Sequence, residues 1–371
     1  MKNRIIVLII VVAVIVGAIY YLESSKVKPS GEVEVSDDGV ELVVSEVREE
    51  QLKDGKYSLA PELTGIVGYL NSEERIKISD FRGSVVLIDF WTYTCINCIR
   101  TLPFLTAWDE KYRDKGLVII GVHTPEFEFE KDIENVKDAV DKYGVEYGVV
   151  QDNDYKTWRA FNNRFWPRKY LIDSEGYIRY DHIGEGAYAE TEEMIQELLA
   201  EIGENVDDME VIEDEGRFSF KLTPELYAGS NFNLPRGQDV GNSGGLRAGE
   251  VFDYSLSGEL EKDKIYLEGK WRSNSDDLEL VGDTGSIVLL FTAESVNIVA
   301  DSLGLQSVDV LIDGVEISNS QGGDDVIFFD SKAFVNVDKP QLYNVVSGTY
   351  GEYRLDLKVE KGFSFNAFTF G

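Results

Sequence analysis

Cysteine and histidine are scarce in this sequence, which contains two of each among 371 residues. A structural zinc site usually needs four such ligands, and His123 and His182 lack the spacing of a zinc-binding motif. We therefore expect neither a metal nor another cofactor. A purely structural disulfide between Cys95 and Cys98 is also a poor explanation, because closing so short a loop gains little stability.

Positive charge is also in short supply, with 36 Lys and Arg residues against 68 Asp and Glu residues. This imbalance argues against a nucleic-acid partner and against docking on an anionic lipid surface.

The N-terminus departs from this acidic pattern. Lys2 and Arg4 precede an uncharged stretch, residues 5–22, that is long enough as a helix to cross a bilayer. No Ala-x-Ala-like cleavage site and no lipobox cysteine follow it. We expect an uncleaved transmembrane anchor at residues 1–22, with a cleaved signal peptide as the alternative. Because the positive flank stays inside, the rest of the chain is expected on the extracytoplasmic side of the cell membrane, held by this single span.

The two cysteines form one Cys-x-x-Cys pair, Cys95-Ile-Asn-Cys98. The apolar, β-branched run 85–91 before them predicts a buried strand, and the apolar spacing after them predicts a helix over 95–112. Cys95 then lies at a helix N-terminus, where unpaired amides and the helix dipole favour a thiolate. We expect Cys95 to attack disulfides and Cys98 to resolve the mixed disulfide, so the pair would be a redox-active disulfide.

The pattern along the chain predicts two domains after the anchor. A flexible tether at 23–56 leads to an α/β domain at 57–205, and short alternating segments at 211–371 predict an all-β sandwich or jelly roll. The α/β domain has the order β-α-β-α-β-α-β-β-α, which predicts a mixed sheet with helices on both faces. The predicted elements are strands 66–70, 75–78, 85–91, 117–122, 147–150, 169–173 and 177–183, helices 95–112, 129–143 and 190–202, and a short helix capped by Asp154.

Three strings in the α/β domain resemble a known family. They are Asp89-Phe-Trp-Thr-Tyr-Thr-Cys-Ile-Asn-Cys, His123-Thr-Pro-Glu-Phe and Trp166-Pro-Arg-Lys-Tyr-Leu-Ile-Asp. They are similar to thioredoxin-fold proteins of the TlpA/redoxin type, and more fully to the thioredoxin domain of DipZ proteins, which also carry a C-terminal β domain. The likeness covers roughly residues 57–371. DipZ proteins commonly have a multi-spanning electron-transfer domain in the same chain, and here a single predicted anchor stands in its place.

The resemblance implies an activity and partners. It implies a thioredoxin fold followed by a jelly roll like a carbohydrate-binding module. It also implies client proteins with disulfides, and a membrane thiol donor of electrons such as a separate DipZ-like or CcdA-like transmembrane protein. The thiol of Cys95 is expected to have a pKa near thioredoxin's, about 7.

Five further residues are candidates for the site. Asp89 lies inside an apolar strand, where a buried carboxylate needs a reason, and it matches the thioredoxin Asp that accepts a proton from the second cysteine. A strand-end Asp bonded to backbone amides is the alternative. Glu126 resembles the active-site glutamate of TlpA-like reductases, although a solvated loop glutamate fits the sequence equally. The resemblance implies that Pro167 is cis, that Trp166 offers its backbone to the client, and that Trp91 forms an apolar rim.

We therefore predict an extracytoplasmic thiol–disulfide oxidoreductase that reduces protein disulfides. The linker Ile96-Asn97 lacks the histidine found in strongly oxidising relatives, which favours a reducing potential. Two alternatives stay open. One is a glycan- or partner-binding protein that uses the fold as a scaffold, and the other is a thiol peroxidase built on Thr92-Tyr-Thr-Cys95.

Aromatic residues are dense in the predicted β domain. Candidates for a sugar-stacking platform are Tyr227, Tyr254, Trp271 and Phe291. Because alternating strands bury half of their side chains, we expect most of these aromatic residues to lie in the core.

Overall fold

The computed structural model of the protein describes residues 52–53, 55–72, 75–206, 209–212 and 221–371. The predicted anchor at 1–22 and nearly all of the predicted tether lie outside the described residues. Within the described parts of the chain, no helix combines the length and apolar character needed to span a membrane.

Among the described residues, the first strand lies slightly before the predicted start of the α/β domain. Strands β1 (Leu52–Lys53) and β2 (Tyr57–Ser58) pair antiparallel. The Lys53 ammonium donates a hydrogen bond to the Asp173 carboxylate at 2.8 Å. This contact ties the end of the predicted tether to the following domain.

Residues 57–206, here the α/β region, contain a mixed sheet flanked by helices. Its strands are β3 (Gly68–Leu70), β4 (Val85–Trp91), β5 (Leu117–His123), β6 (Gly148–Gln151), β7 (Arg168–Ile172) and β8 (Ile178–Ile183). Its helices are α1 (Ile96–Tyr112), α2 (Ile133–Lys142), α3 (Lys156–Ala160) and α4 (Tyr188–Glu201). The strand order is β3-β6-β5-β4-β7-β8, with β4 parallel to β5 and antiparallel to β7.

Strand β4 supplies both hydrophobic layers of this region. Leu87 and Trp91 pack into a cluster with residues of α1, α2 and α4, whereas Ile88 and Phe90 pack into a cluster on the other face. Because side chains alternate along a strand, Asp89 shares a face with Leu87 and Trp91. The predicted buried acid is therefore on the α1 face of the sheet, as is Cys98, which belongs to the same cluster as Leu87.

One predicted strand is wrong. The segment 75–78 is not a strand in the structure, and a 3₁₀ helix, Ile78–Phe81, begins at its last residue. The Glu62 carboxylate accepts hydrogen bonds from the backbone amides of Ile78 and Ser79, both at 2.9 Å. A capping carboxylate from a preceding loop thus stabilises a helical turn that local hydrophobicity did not indicate.

Two predicted helices begin elsewhere than expected. The predicted helix 129–143 is split into a 3₁₀ turn, Glu128–Lys131, and helix α2, because Asp132 caps the latter by accepting from the Glu134 amide at 3.0 Å. The short helix α3 is capped by Asp152 rather than by Asp154. The Asp152 carboxylate accepts from three successive amides at 2.7–3.1 Å.

Residues 221–371, here the β region, form an antiparallel sheet of eleven strands in the part of the chain that is described. The strands are β9 (Leu226–Tyr227), β10 (Val251–Tyr254), β11 (Ile265–Ser273), β12 (Leu278–Leu280), β13 (Thr284–Ser302), β14 (Gln306–Ile312), β15 (Val315–Glu316), β16 (Val326–Phe329), β17 (Lys332–Val337), β18 (Gln341–Glu360) and β19 (Phe363–Phe370), with one short helix, α5 (Ser230–Asn233). Strands β11, β12, β19 and β13 pair in a closed circuit. The sheet therefore wraps around one large hydrophobic core, in which Tyr254, Trp271 and Phe291 are buried.

The α/β and β regions pack against each other through an apolar cluster beside α1. Phe127 of the α/β region contacts Tyr227 and Phe232 of the β region, with ring centroids 6.3 and 5.4 Å apart. Other members of this interface cluster are Ile96, Ile99, Phe129, Val299, Leu342 and Ala367. Because Ile96 and Ile99 directly follow Cys95 and Cys98, the β region covers the start of α1 beside Cys95.

Candidate active site

Cys95 lies in the connection between strand β4 and helix α1. Its backbone is extended, with φ −81° and ψ 111°, and it is the N-cap of the helix that begins at Ile96. The Cys95 Sγ accepts a hydrogen bond from the Cys98 amide at 3.2 Å. An N-terminal amide and the helix dipole both stabilise negative charge on this sulfur. Both cysteines are free thiols in this structure.

Burial opposes this stabilisation. Cys95 is half-buried, and burial raises the pKa of its thiol above the ordinary value, while the hydrogen bonds from Cys98 lower it. The negative charges of Glu225 and Glu126 add to the rise. The expectation of a thiol pKa lowered to a thioredoxin-like value is therefore wrong. The largest cause is the burial of the thiol between residues of both regions, and the carboxyls of Glu225 and Glu126 add to it.

Cys98 is fully buried one turn into α1. Burial raises the pKa of its thiol well above the ordinary value, and neighbouring Cys95 and Asp89 contribute to the rise. A thiol of this kind stays protonated until a base removes its proton. That property suits a residue that attacks second, after a mixed disulfide has formed.

Asp89 is the buried carboxyl next to Cys98. The residue is 1% exposed, and burial raises the pKa of its carboxyl to about 7, against the opposing effect of Lys169. Its Oδ1 has no hydrogen-bond partner among the described residues. The alternative of a strand-end Asp held by backbone amides is thus not supported at this oxygen, which is free to take a proton.

Lys169 is a site residue that the sequence analysis missed. It is the cross-strand partner of Asp89 in the antiparallel β4–β7 pair, and it is 1% exposed. Its ammonium donates to the Gly184 carbonyl at 3.3 Å and lies 5.5 Å from the centroid of the Tyr188 ring. Burial lowers the pKa of Lys169, whereas Asp89 and Cys98 raise it. The available signal was a lysine inside an apolar strand, the same anomaly that identified Asp89.

The Trp166–Pro167 peptide bond is cis, as expected. The half-buried Trp166 indole donates a hydrogen bond to the Thr124 carbonyl at 3.0 Å. Its ring packs on Trp158, with centroids 4.3 Å apart. These contacts hold Trp166 at the wall of the same cavity that Cys95 lines.

Trp91 does not form the rim that the resemblance implied. Its exposed fraction is 0%, and its ring lies edge-on to His123 with centroids 5.4 Å apart. A Cβ at Gly121 would lie 2.9 Å from the Trp91 indole nitrogen, so the glycine on β5 leaves room for this ring. The Trp91 side chain packs on the α1 face of the sheet, because alternation along β4 places it on the same face as Leu87 and Asp89.

His123 is a structural histidine. It is fully buried, its Nε2 lies 3.3 Å from the Thr92 hydroxyl, and its ring stacks on Tyr93 at 5.7 Å. Burial lowers the pKa of the imidazole to about 3, so the ring is neutral near pH 7. Among the described residues, no cluster of three or more His, Cys, Asp or Glu side chains is arranged to hold a metal ion.

A cavity of about 70 Å³ lies between the two regions and reaches the Cys95 sulfur. Its lining is Thr94, Cys95, Asn97, Glu126, Phe127 and Trp166 from the α/β region, and Glu225, Tyr227, Val299, Ala367 and Thr369 from the β region. The predicted Cys95, Glu126 and Trp166 therefore meet at one cavity, while Asp89 lies behind Cys98 in the interior.

Glu126 is a cavity residue rather than a solvated loop glutamate. Its side chain is 11% exposed, and burial, Glu130 and Glu225 raise the pKa of its carboxyl to about 8. The Arg236 guanidinium opposes this rise from 3.4 Å. Buried Glu130 fixes the turn by accepting from the Thr94 hydroxyl and from the amides of Glu126 and Phe127.

Glu225 and Tyr227 are the other residues that sequence reasoning did not place at the redox site. They lie in the β region, and no motif near them points to redox chemistry. The Tyr227 hydroxyl donates to Glu225 Oε2 at 3.1 Å, and burial raises the pKa of the Glu225 carboxyl. Only the packing of the two regions brings this pair to Cys95.

Comparison with known proteins agrees with this division of the chain. Residues 59–181 match the AhpC/TSA family, and residues 223–371 match the family described as a thioredoxin-like C-terminal domain. The protein DipZ of Mycobacterium tuberculosis (strain CDC 1551 / Oshkosh) is 34% identical over 319 residues, which are 84% of this chain and 43% of DipZ. The chain thus spans less than half the length of DipZ.

Shorter proteins match about two fifths of the chain. The thiol-disulfide oxidoreductase YkuV of Bacillus subtilis (strain 168) is 29% identical over 142 residues, covering 38% of this chain and 94% of YkuV. Among solved structures, a putative thiol:disulfide interchange protein DsbE from Chlorobium tepidum is 26% identical, covers 39% of this chain and 96% of its own, and has a TM-score of 0.34. The chain is therefore similar to DipZ over 84% of its own length, and it combines a region that matches the AhpC/TSA family with one that matches the thioredoxin-like C-terminal domain.

Proposed function

We propose that this protein is an extracytoplasmic, membrane-anchored thiol–disulfide oxidoreductase that reduces protein disulfides through Cys95 and Cys98. The observation that carries the proposal is the position of Cys95. Its sulfur caps helix α1, accepts the Cys98 amide at 3.2 Å and opens into a cavity beside Trp166. Cys98 and Asp89 lie behind it in the buried interior.

The exchange proceeds in two steps. The Cys95 thiolate attacks one sulfur of the client disulfide, and the electron pair of the broken S–S bond leaves on the other client sulfur, which takes a proton. Asp89 then accepts the Cys98 proton, and the Cys98 thiolate attacks the Cys95 sulfur. The bond between Cys95 and the client breaks, and the client sulfur leaves as a thiolate that takes a proton from solvent. The products are a reduced client and a Cys95–Cys98 disulfide.

A separate reductant must return the pair to its dithiol form. We propose a membrane thiol protein of the DipZ or CcdA type as the donor, because the described chain contains no second Cys pair and this sequence has only two cysteines. The uncharged stretch at residues 5–22 supports a membrane location on the same side as such a donor.

The narrow cavity restricts which clients can react. About 70 Å³ beside Cys95 has room for a side chain but not for a folded surface. We therefore propose clients whose disulfides lie in extended or exposed segments that can reach past Trp166.

The β region fits a sandwich or jelly roll that orients the redox site better than a glycan platform. The proposed sugar-stacking residues Tyr227, Tyr254, Trp271 and Phe291 have exposed fractions of 7%, 3%, 0% and 0%. Stacking a sugar requires an exposed ring face, so the burial of these aromatics favours a packing role over glycan binding.

The peroxidase alternative has less support. The Thr92 hydroxyl, which would serve a Thr-x-x-Cys peroxidatic site, lies in the interior with His123 as its partner at 3.3 Å. Cys98 next to Cys95 points to exchange with disulfides.

A redox titration tests the proposal. The reduced form of a strong oxidant such as DsbA is stabilised, whereas burial and two carboxyls disfavour a thiolate at Cys95. We expect a midpoint near thioredoxin's, about −270 mV, when the full chain is equilibrated with glutathione or dithiothreitol buffers. The Cys95→Ser/Cys98→Ser double variant is the control and should show no transition. A midpoint near the DsbA value of about −120 mV would overturn the reductase assignment.

A further inference from the structure

Two carboxyl groups from different parts of the fold reach the cavity that holds the Cys95 sulfur. Glu126 lies in the loop after β5, and Glu225 is the residue directly before β9. The negative charge of each group acts on the Cys95 thiol. Glu225 also acts on Glu126, so the two carboxyls are close enough for the charge of Glu225 to raise the pKa of the Glu126 carboxyl.

The Tyr227 hydroxyl links the two carboxyls. It donates to Glu225 Oε2 at 3.1 Å, and it also interacts with the Glu126 carboxyl. A hydroxyl has one proton to donate, so it satisfies one carboxylate only. If Glu126 is protonated, its O–H can donate to the Tyr227 oxygen while the Tyr227 hydroxyl donates to Glu225. One added proton on the pair of carboxyls therefore satisfies all three groups.

The surrounding charges favour that single proton. Arg236 lies 3.4 Å from Glu126 and 4.1 Å above the centroid of the Tyr227 ring. Glu130 also faces Glu126, but its oxygens are occupied by the Thr94 hydroxyl and two backbone amides. Tyr155, the residue directly before α3, lies near Glu126 and donates to the Pro125 carbonyl. One guanidinium therefore balances one of the two carboxyls, and a proton neutralises the other.

We propose that Glu225 is a positioning residue of the redox site, sharing one proton with Glu126 through Tyr227 and thereby setting the negative charge that Cys95 faces. With the proton present, the Cys95 thiolate forms beside one carboxylate. When the shared proton is lost, the Cys95 thiolate must form beside two carboxylates, and repulsion between these like charges disfavours it. The inference rests on the proposed function, because it assigns the β region a part in controlling the attacking thiol.

The test measures the ionisation of Cys95 without any client. In the full chain carrying Cys98→Ser, the rate of alkylation by iodoacetamide is followed from acid to alkaline pH, with mass spectrometry of the Cys95 peptide. Glu225→Gln should move the midpoint of the profile down by about one pH unit, because it removes a nearby like charge while keeping the side-chain shape. Glu225→Asp, which restores the charge, should move it back toward the parent.

Two further variants keep the test decisive. Glu294→Gln removes the same charge from an exposed position of the β region and should leave the profile unchanged. Glu126→Gln should also lower the midpoint, and combining it with Glu225→Gln should give more than the sum of the two shifts, because after either single change the remaining carboxyl ionises and keeps one negative charge beside Cys95. This second variant still tests the pair if Glu225→Gln fails to fold.

The outcomes separate this inference from the proposed function. A Glu225→Gln profile identical to that of Glu294→Gln, or strictly additive shifts in the double variant, would overturn the shared-proton pair. Shifted alkylation profiles combined with a DsbA-like redox midpoint would overturn the reductase function and leave the pair standing.

Discussion

Replacing Asp89 with asparagine should slow the second step of the exchange and leave the first step intact. Asp89 is the buried group placed to take the proton from Cys98, whose thiol has its pKa raised well above the ordinary value. Asparagine keeps the shape of the side chain but cannot accept that proton. Cys95 caps the helix whether or not Asp89 is ionised, so its attack does not need this carboxyl.

The size of the effect follows from the pKa of Asp89, which burial raises to about 7. A group with this pKa is roughly one tenth ionised at about pH 6 and roughly nine tenths ionised at about pH 8. If its carboxylate is the base, the resolving rate should rise about tenfold across this interval. The loss of a general base typically lowers a rate by about a hundredfold or more. Asp89→Asn should therefore be slower by that factor at about pH 8, and it should lose the titration centred near pH 7.

A neutral aromatic disulfide, 4,4′-dithiodipyridine, resolves the two steps by stopped flow. The first equivalent of thiopyridone reports attack by Cys95, and the second reports displacement by Cys98. Asp141→Asn, an exposed carboxyl on α2, is the matched control and should behave as the parent protein. The reasoning would be refuted by a second phase in Asp89→Asn with the parental rate and pH profile.

Two other predictions concern the thiols and the stability of the fold. Cys98→Ser should accumulate mixed disulfides with client proteins on non-reducing gels and Cys95→Ser should not, so equal trapping by both would contradict the assigned roles. His123 should make the fold acid-sensitive: its pKa is about 3 when folded and 6.5 ordinarily, so the unfolded chain binds the extra proton between these values. The free energy of unfolding should therefore fall by about 1.4 kcal/mol per pH unit below about pH 6.5, and His123→Asn should flatten this slope in urea titrations; an unchanged slope would show that another group is responsible.

Much of the site followed from local sequence. Strand β4 begins and ends where the apolar run 85–91 does, and helix α1 begins directly after Cys95. Both features depend on near neighbours in the chain, namely an apolar run and a cap, so the sequence is sufficient to predict them. The anomaly of Asp89 in an apolar strand was likewise visible, because burying a carboxylate requires a reason.

Elements whose ends depend on distant residues were predicted less well. The segment 75–78 reads as a strand by composition, but Glu62 caps a 3₁₀ turn there. Trp91 fits a rim by analogy, yet the pleat of β4 turns it into the core and Gly121 makes room for it. In each case the deciding contact is made by a residue that is remote in sequence, which no local pattern reports.

The sequence by itself predicted the Cys-x-x-Cys pair at the start of a helix, most of the order of elements in the α/β region and the change to a β pattern after it, because these depend on local periodicity and on a motif. Only the tertiary structure decided the ionisation of the site. Strand register sets Lys169 opposite Asp89, and the packing of the β region sets Glu225 beside Glu126 and Cys95. A pKa depends on burial and on the charges nearby in space, and both arise only when distant segments meet.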